Sequence, residues 1–253
     1  MLDVCYLYIA DLLIPVRFIF AETLERYYSD FLCRDLTGFS EADLKGAQSR
    51  LIEYSAEELE AERKETKRSG IYTEHCLIMK KTADLLLSYD RCLFHGVSIL
   101  WKNRALIFTG PSGVGKSTQY RNWNRLYRDE IRILNGDKPV LWFQEDGTVM
   151  VCPSPWKGKE GWASMESAPL KEIVCLEQGR EDRYFALEGA DRIVPVFTQV
   201  MFTYSCIEDI DRACICTDRL LRNISVTKLV NKGDERSAVL LHDSRRQKGV
   251  NDE

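Results

Sequence analysis

The stretch Gly110-Pro-Ser-Gly-Val-Gly115-Lys116-Ser117 constrains this chain more than any other feature, because it satisfies G-x-x-x-x-G-K-[ST] in full. Each residue type answers a physical need. Glycines let successive backbone N–H groups converge on one anion and adopt dihedrals that a Cβ forbids. A helix after such a loop aims its free N–H groups and the positive end of its dipole at the same anion. In that setting Lys116 reaches the β- and γ-phosphates of a nucleotide, and the Ser117 hydroxyl ligates Mg²⁺. The flanks agree: apolar Ala105 to Phe108 reads as the strand before the loop, and Ser117 to Tyr127, with Trp123 and Leu126 on one face, as the helix after it. With glycine at ~7% of residues, a chance match in a chain of this length is expected on the order of one per cent of the time. A phosphate-binding site is therefore expected over Gly110, Pro111, Ser112, Gly113, Val114, Gly115, Lys116, Ser117 and Thr118, within an α/β fold.

Composition sets the frame for that site. The chain has 253 residues, enough for one large α/β domain with or without an N-terminal addition. A net charge of −4 gives no general reason to expect nucleic acid as a partner. Nine cysteines, most of them in apolar runs such as Arg91-Cys92-Leu-Phe, suggest reduced, buried thiols in a cytoplasmic protein. Cys214-x-Cys216 lacks a second Cys or His pair at metal-ligand spacing. The apolar start, Tyr6 to Phe20, is interrupted by Asp11, Pro15 and Arg17, which argues against a membrane span. It lacks the basic leader and small-residue site of a signal peptide, so two buried strands around a turn are expected instead.

Further along, Ser40 with Asp43 and Ser55 with Glu58 match helix-start capping boxes. Glu57 to Lys67 reads as a solvated helix or excursion, and residues 73–90 as a helix packed on a core. Val97 to Trp101 and Arg104 to Phe108 form strands around the turn Lys102-Asn103, a local pairing that argues against a purely parallel sheet. Strands are expected at Arg132 to Leu134, Pro139 to Phe143, Val149 to Val151, Glu172 to Leu176 and Ile224 to Val230. Residues 191–222 look mostly helical, and Glu235 to Leu241 a short helix. The expected organisation is residues 1–90 as an N-terminal extension of the core, 91–242 as the loop-bearing core, and 243–253 as an unstructured tail.

Two further features narrow the class. Ile131 to Leu134 runs into Asn135-Gly136-Asp137-Lys138, with room after Lys116 for only one helix and one strand, and His95-Gly96 opens the hairpin that leads into the loop. This combination resembles the HPr kinase/phosphorylase family and, more distantly, the phosphoenolpyruvate carboxykinases, over roughly residues 91–178. Ser154-Pro-Trp-Lys-Gly-Lys-Glu-Gly-Trp162 is similar to a Pro-Trp-x-Gly-Lys segment of small HPr-kinase-like proteins. The resemblance implies a single P-loop domain with a mixed, curved sheet, Mg²⁺–ATP as substrate and a hydroxyl, serine in a protein or peptide, as acceptor. It implies Asp137 as general base, His95 as its support, and Lys116 and Ser117 in their phosphate and metal roles. Glu160 would join Ser117 and Asp137 at the metal, and Lys157 or Lys159 would steady phosphates.

Two departures qualify it. Gly136 stands where the family has a second acidic residue, and no glycine-arginine segment for reverse phosphorolysis is visible near the C-terminus. Phosphorylation of a small molecule such as free serine, and a non-catalytic ATP-sensing module, remain as alternatives. Oligomers are permitted by the resemblance.

Overall fold

The computed structural model describes residues 3–249. The chain opens with the expected hairpin, β1 (Val4–Ile9) antiparallel to β2 (Leu12–Arg17), closed by Ala10 and Asp11, both at positive φ. Helical turns follow: α1 (Ala21–Thr23), a π-turn over Leu24–Tyr28 and a 3₁₀ turn over Ser29–Phe31. Helices α2 (Glu41–Gln48) and α3 (Ala56–Thr66) start on reciprocal capping boxes, Ser40 with Asp43 and Ser55 with Glu58. In each, the serine oxygen and the third-position carboxylate satisfy amides that the first turn would leave unpaired. Helix α4 (Gly70–Leu87) starts on Ser69 and buries Leu77, Ile78, Ala83, Leu86 and Leu87.

The large sheet is mixed. Its strands are β3 (Arg91–Phe94), β4 (Gly96–Trp101), β5 (Arg104–Thr109), β6 (Ile131–Asn135), β7 (Val140–Phe143), β8 (Val149–Cys152), β9 (Ala168–Gln178), β10 (Arg183–Ala186), β11 (Val200–Met201) and β12 (Ser225–Asn231). The order runs β11-β3-β7-β8-β9-β5-β4-β6, with β12 also on β9 and β10 on β12. Strands β5 and β12 lie parallel to β9, whereas β4 is antiparallel to both β5 and β6. Strand β9 holds the two halves together, because its start pairs with β8 and the rest with β5 and β12. Phe94 and Leu141 of one half share a core with Ile107 and Ile173 of the other, so the sheet curls over its own apolar face.

Two more cores cover the outer faces. Helix α5 (Lys116–Leu126) and helix α8 (Arg236–Gly249) pack Trp123 and Leu241 against Ile99, Phe108 and Val174. The N-terminal hairpin and α4 pack on the outer face of β3, β7 and β8, where Leu7, Ile14 and Ile78 meet Leu93, Val140 and Trp156. The Arg91 guanidinium ties the hairpin down, donating to the Ala10 carbonyl at 2.6 Å while lying over the Trp142 ring. Residues 1–90 thus share a continuous core with the rest, as far as they are described.

Residues 191–222 are mostly helical, as expected, but not continuously so: a 3₁₀ turn (Gly189–Arg192) and α6 (Ile193–Phe197) give way to β11 before α7 (Ile207–Asn223). Pairing of Val200 with Phe94 overrides local helical propensity there. Residues 243–249, expected to be unstructured, continue α8, and the Arg245 guanidinium reaches the buried carboxylate of Glu172 and the Tyr184 hydroxyl. Residues 250–253 lie outside the described region. All nine cysteines are free, but only Cys92, Cys152, Cys175 and Cys216 are buried. Among the described residues, no helix is long and apolar enough to cross a membrane.

Candidate functional site

Strand directions decide where the site lies. Strand β5 ends at Thr109 and feeds the glycine loop; β4 runs the other way and begins at Gly96, paired with Thr109; β6 runs with β5 and ends at Asn135, paired with Ser98. The carboxyl ends of β5 and β6 and the amino end of β4 therefore meet at one sheet edge. Gly110 to Ser117, His95 and Asp137 come together there, as the sequence suggests.

The loop turns back on itself through Gly110, Gly113 and Gly115, all at positive φ. Helix α5 starts on Gly115 with no side-chain cap, unlike α2, α3 and α4, which each begin on a capping serine. Its first-turn amides are left for another acceptor. The Lys116 ammonium donates to the carbonyls of Gly110 at 2.7 Å and Pro111 at 3.2 Å, closing the loop around itself. Burial pulls its pKa below the ordinary lysine value, an effect the Asp137 charge opposes. Gln178, at the end of β9, donates to the Gly113 carbonyl at 3.2 Å and fixes the loop from outside.

Asp137 is held by its neighbours. The buried Asn135 side chain accepts from the backbone amides of Asp137 at 2.9 Å and Lys138 at 2.8 Å, and donates to the Ser154 hydroxyl at 3.1 Å. This turn chemistry reverses the chain directly after β6. The Asp137 carbonyl accepts from the Gly96 amide at 2.8 Å, which sets the carboxylate beside His95. His95 Nε2 lies 3.6 Å from Asp137 Oδ1, and the Lys138 ammonium pairs with Oδ2. Burial first, then the Lys116 charge, lowers the His95 pKa, so its imidazole is neutral near pH 7.

The segment after Ser154 wraps over this turn. The Trp156 carbonyl accepts from the Lys138 amide at 3.1 Å and the Trp162 carbonyl from the Gly136 amide at 2.8 Å. Close approach explains Gly136: a Cβ there would sit 3.0 Å from the carbonyl oxygens of both Lys157 and Trp162. A side chain at this position would require both backbones to give by a few tenths of an ångström. Gly158 is closer still, with a Cβ falling 2.8 Å from that of Asp137, at a φ of +70°.

The remaining candidates divide. Glu160 reaches the rim of the same cavity, where Arg121 donates to it at 2.9 Å. Lys159 also lines that cavity. Lys157 does not: its ammonium pairs with Asp30 at 2.8 Å, on the N-terminal side of the segment. Asn135, Lys138, Ser154 and Gly158 lie in segments that the sequence singles out, but their parts in holding Asp137 are not readable there, although Asn-Gly-Asp directly after a strand is a turn signal.

The loop-side cavity has a volume of about 430 Å³. Amides at an open helix start, the ammonium groups of Lys116 and Lys159, the Ser117 hydroxyl and the carboxylates of Asp137 and Glu160 can take a polyphosphate with a divalent cation. No protein-family model matches this chain, and no curated protein matches it either.

Proposed function

We propose that this chain is a Mg²⁺–ATP-dependent kinase, of the HPr kinase/phosphorylase kind, that phosphorylates a serine hydroxyl of a protein or peptide. The observation that carries this reading is a cavity whose wall contains the loop residues Ser112, Gly113 and Gly115 to Thr118 together with Asp137 and His95. In this reading the loop amides and Lys116 hold the terminal phosphates of ATP, and the ammonium exchanges its two carbonyl contacts for phosphate oxygens. Asp137 takes the proton from the acceptor hydroxyl. His95, neutral, is too far for a hydrogen bond to Asp137 at 3.6 Å and near enough for a small ring movement to make one.

The residues present fit a magnesium ion. Among those described, no cluster of three or more His, Cys, Asp or Glu would hold a metal unaided. Magnesium typically keeps several waters and takes only one or two carboxylates plus substrate phosphates. Ser117, Asp137 and Glu160 would supply the protein share. When bound, the ion neutralises charge on the transferring phosphoryl group.

The test is transfer of label from γ-labelled ATP to serine peptides by the whole protein. Transfer by the native chain, lost in Asp137→Asn while ATP still binds, is the expected result. Transfer undiminished by that change would remove Asp137 from the base role. Tight ATP binding with no transfer to any acceptor would favour the sensing module instead.

A further inference from the structure

Asp137, Gly158 and Lys159 are shared by two cavities. One is the loop-side cavity already described. The other, about 560 Å³, opens on the N-terminal side of the same segment. Its walls come from parts of the chain far apart in sequence: Arg26 and Tyr27 from the π-turn, Tyr72 and His75 from α4, and Trp156 and Lys157 from the segment after β8.

The chemistry of these walls is one-sided. Arg26, Lys138, Lys157 and Lys159 face the cavity, and Asp137 is the only acid among its lining residues. Lys138 and Lys157 are neutralised by Asp137 and Asp30. Arg26 and Lys159 are exposed and have no carboxylate partner among the described residues. The remaining wall is aromatic and apolar: the Tyr27 and His75 rings stack with centroids 4.0 Å apart, Tyr72 is 42% exposed beside them, and Met79 and Trp156 continue the surface. Burial, then the Lys138 charge, lowers the His75 pKa to about 3, so that ring adds polarity without charge at pH 7. A cavity of this size holds a ligand far larger than one amino acid. Unpaired cations select negative charge, and aromatic walls select extended apolar surface.

We propose that this second cavity is the acceptor site, and that it takes an acidic serine-containing peptide segment. The inference rests on the kinase reading, because it uses Asp137 as the group between donor and acceptor. The serine hydroxyl enters from the second cavity and gives its proton to the Asp137 carboxylate. Its oxygen bonds to the γ-phosphorus of ATP while the bond from that phosphorus to the bridging oxygen breaks. ADP leaves with that electron pair, the peptide keeps the phosphoryl group, and the Asp137 proton passes to solvent.

Fluorescein-labelled serine peptides flanked by Asp/Glu, by neutral residues or by Lys/Arg test this against the full chain, with free serine as a fourth acceptor. Both peptide binding and label transfer are measured, with MgATP affinity measured separately. The acidic peptide is expected to bind best and to be phosphorylated best. Arg26→Glu is expected to raise its KM about tenfold, to narrow the gap to the basic peptide, and to leave MgATP affinity unchanged. Tyr72→Ala, a second exposed position, is expected to weaken all three peptides. Equal use of the three peptides, unaffected by Arg26→Glu, would overturn the inference and leave the kinase reading intact, as would preference for free serine. Binding of the acidic peptide without transfer to any acceptor would instead overturn the kinase reading and leave the cavity's preference standing.

Discussion

The two faces of Asp137 are built from different materials. The loop side is made mostly of main chain: a short contiguous run of residues turns through three left-handed glycines and presents amides from an uncapped helix. The opposite side is made of side chains brought together from the π-turn, α4 and the segment after β8. A main-chain site recognises what all nucleotides share, their phosphates, and it is specified within one loop. A side-chain site assembled across the fold can be retuned one residue at a time, which suits the partner that varies. Asp137 belongs to both, and its position depends on Asn135, Gly96 and the space that Gly158 leaves.

This contrast can be broken or sharpened by substitution. The largest effect is expected at the shared residue. Asp137→Asn keeps the shape but removes the proposed base, and phosphoryl transfer is expected to fall about 10²- to 10⁴-fold. Equilibrium dialysis should show ATP still bound, because the loop amides and the Lys116 ammonium are untouched by this change. Next is the residue that makes room for it. In Gly158→Ala the new Cβ would lie 2.8 Å from Asp137 Cβ, at a φ of +70°. Strained backbone of this kind costs about 1–3 kcal/mol, and an ångström of displacement at a reacting group costs about 10²-fold in rate. A lowered Tm together with slowed transfer is expected, and a transfer rate equal to that of the native chain would show that Asp137 is not held by this contact.

The second cavity also has its own pH signature. His75 has a folded-state pKa of about 3 against an ordinary 6.5. Its neutral form is the one folded in, so stability is full above about 6.5 and declines as pH falls from there towards 3. His75→Gln, which has nothing to titrate, should flatten that decline in denaturant midpoints measured across the range. An unchanged slope would mean that other groups set the acid limit. The smallest effect is expected far from both faces. Ser55→Ala removes the cap of α3 and should cost about 1 kcal/mol of stability, with transfer and nucleotide affinity unchanged.

What could be read in the sequence follows the same division. Gly110 to Ser117, the hairpin through Lys102-Asn103 and the capping boxes at Ser40 and Ser55 are local, and each has its physical cause within a few residues of itself. They were legible. The role of Lys157 was not, because its partner Asp30 is contributed by a distant turn. Nor was β11, whose two residues are strand only because β3 lies alongside them. The second cavity had no sequence signature, since strands β3 to β6 separate its walls along the chain. Gly136 looked like a loss and proves to be a close approach between backbones, which only the fold could reveal.

The central claim is that the Lys116 ammonium and the amides around it take the terminal phosphates of a nucleotide. Calorimetric titration of MgATP into the native chain and into Lys116→Ala addresses it directly. Saturable binding by the native chain, weakened at least about tenfold in the variant, is the predicted result. Equal affinity in the two proteins, or no binding to the native chain, would contradict it.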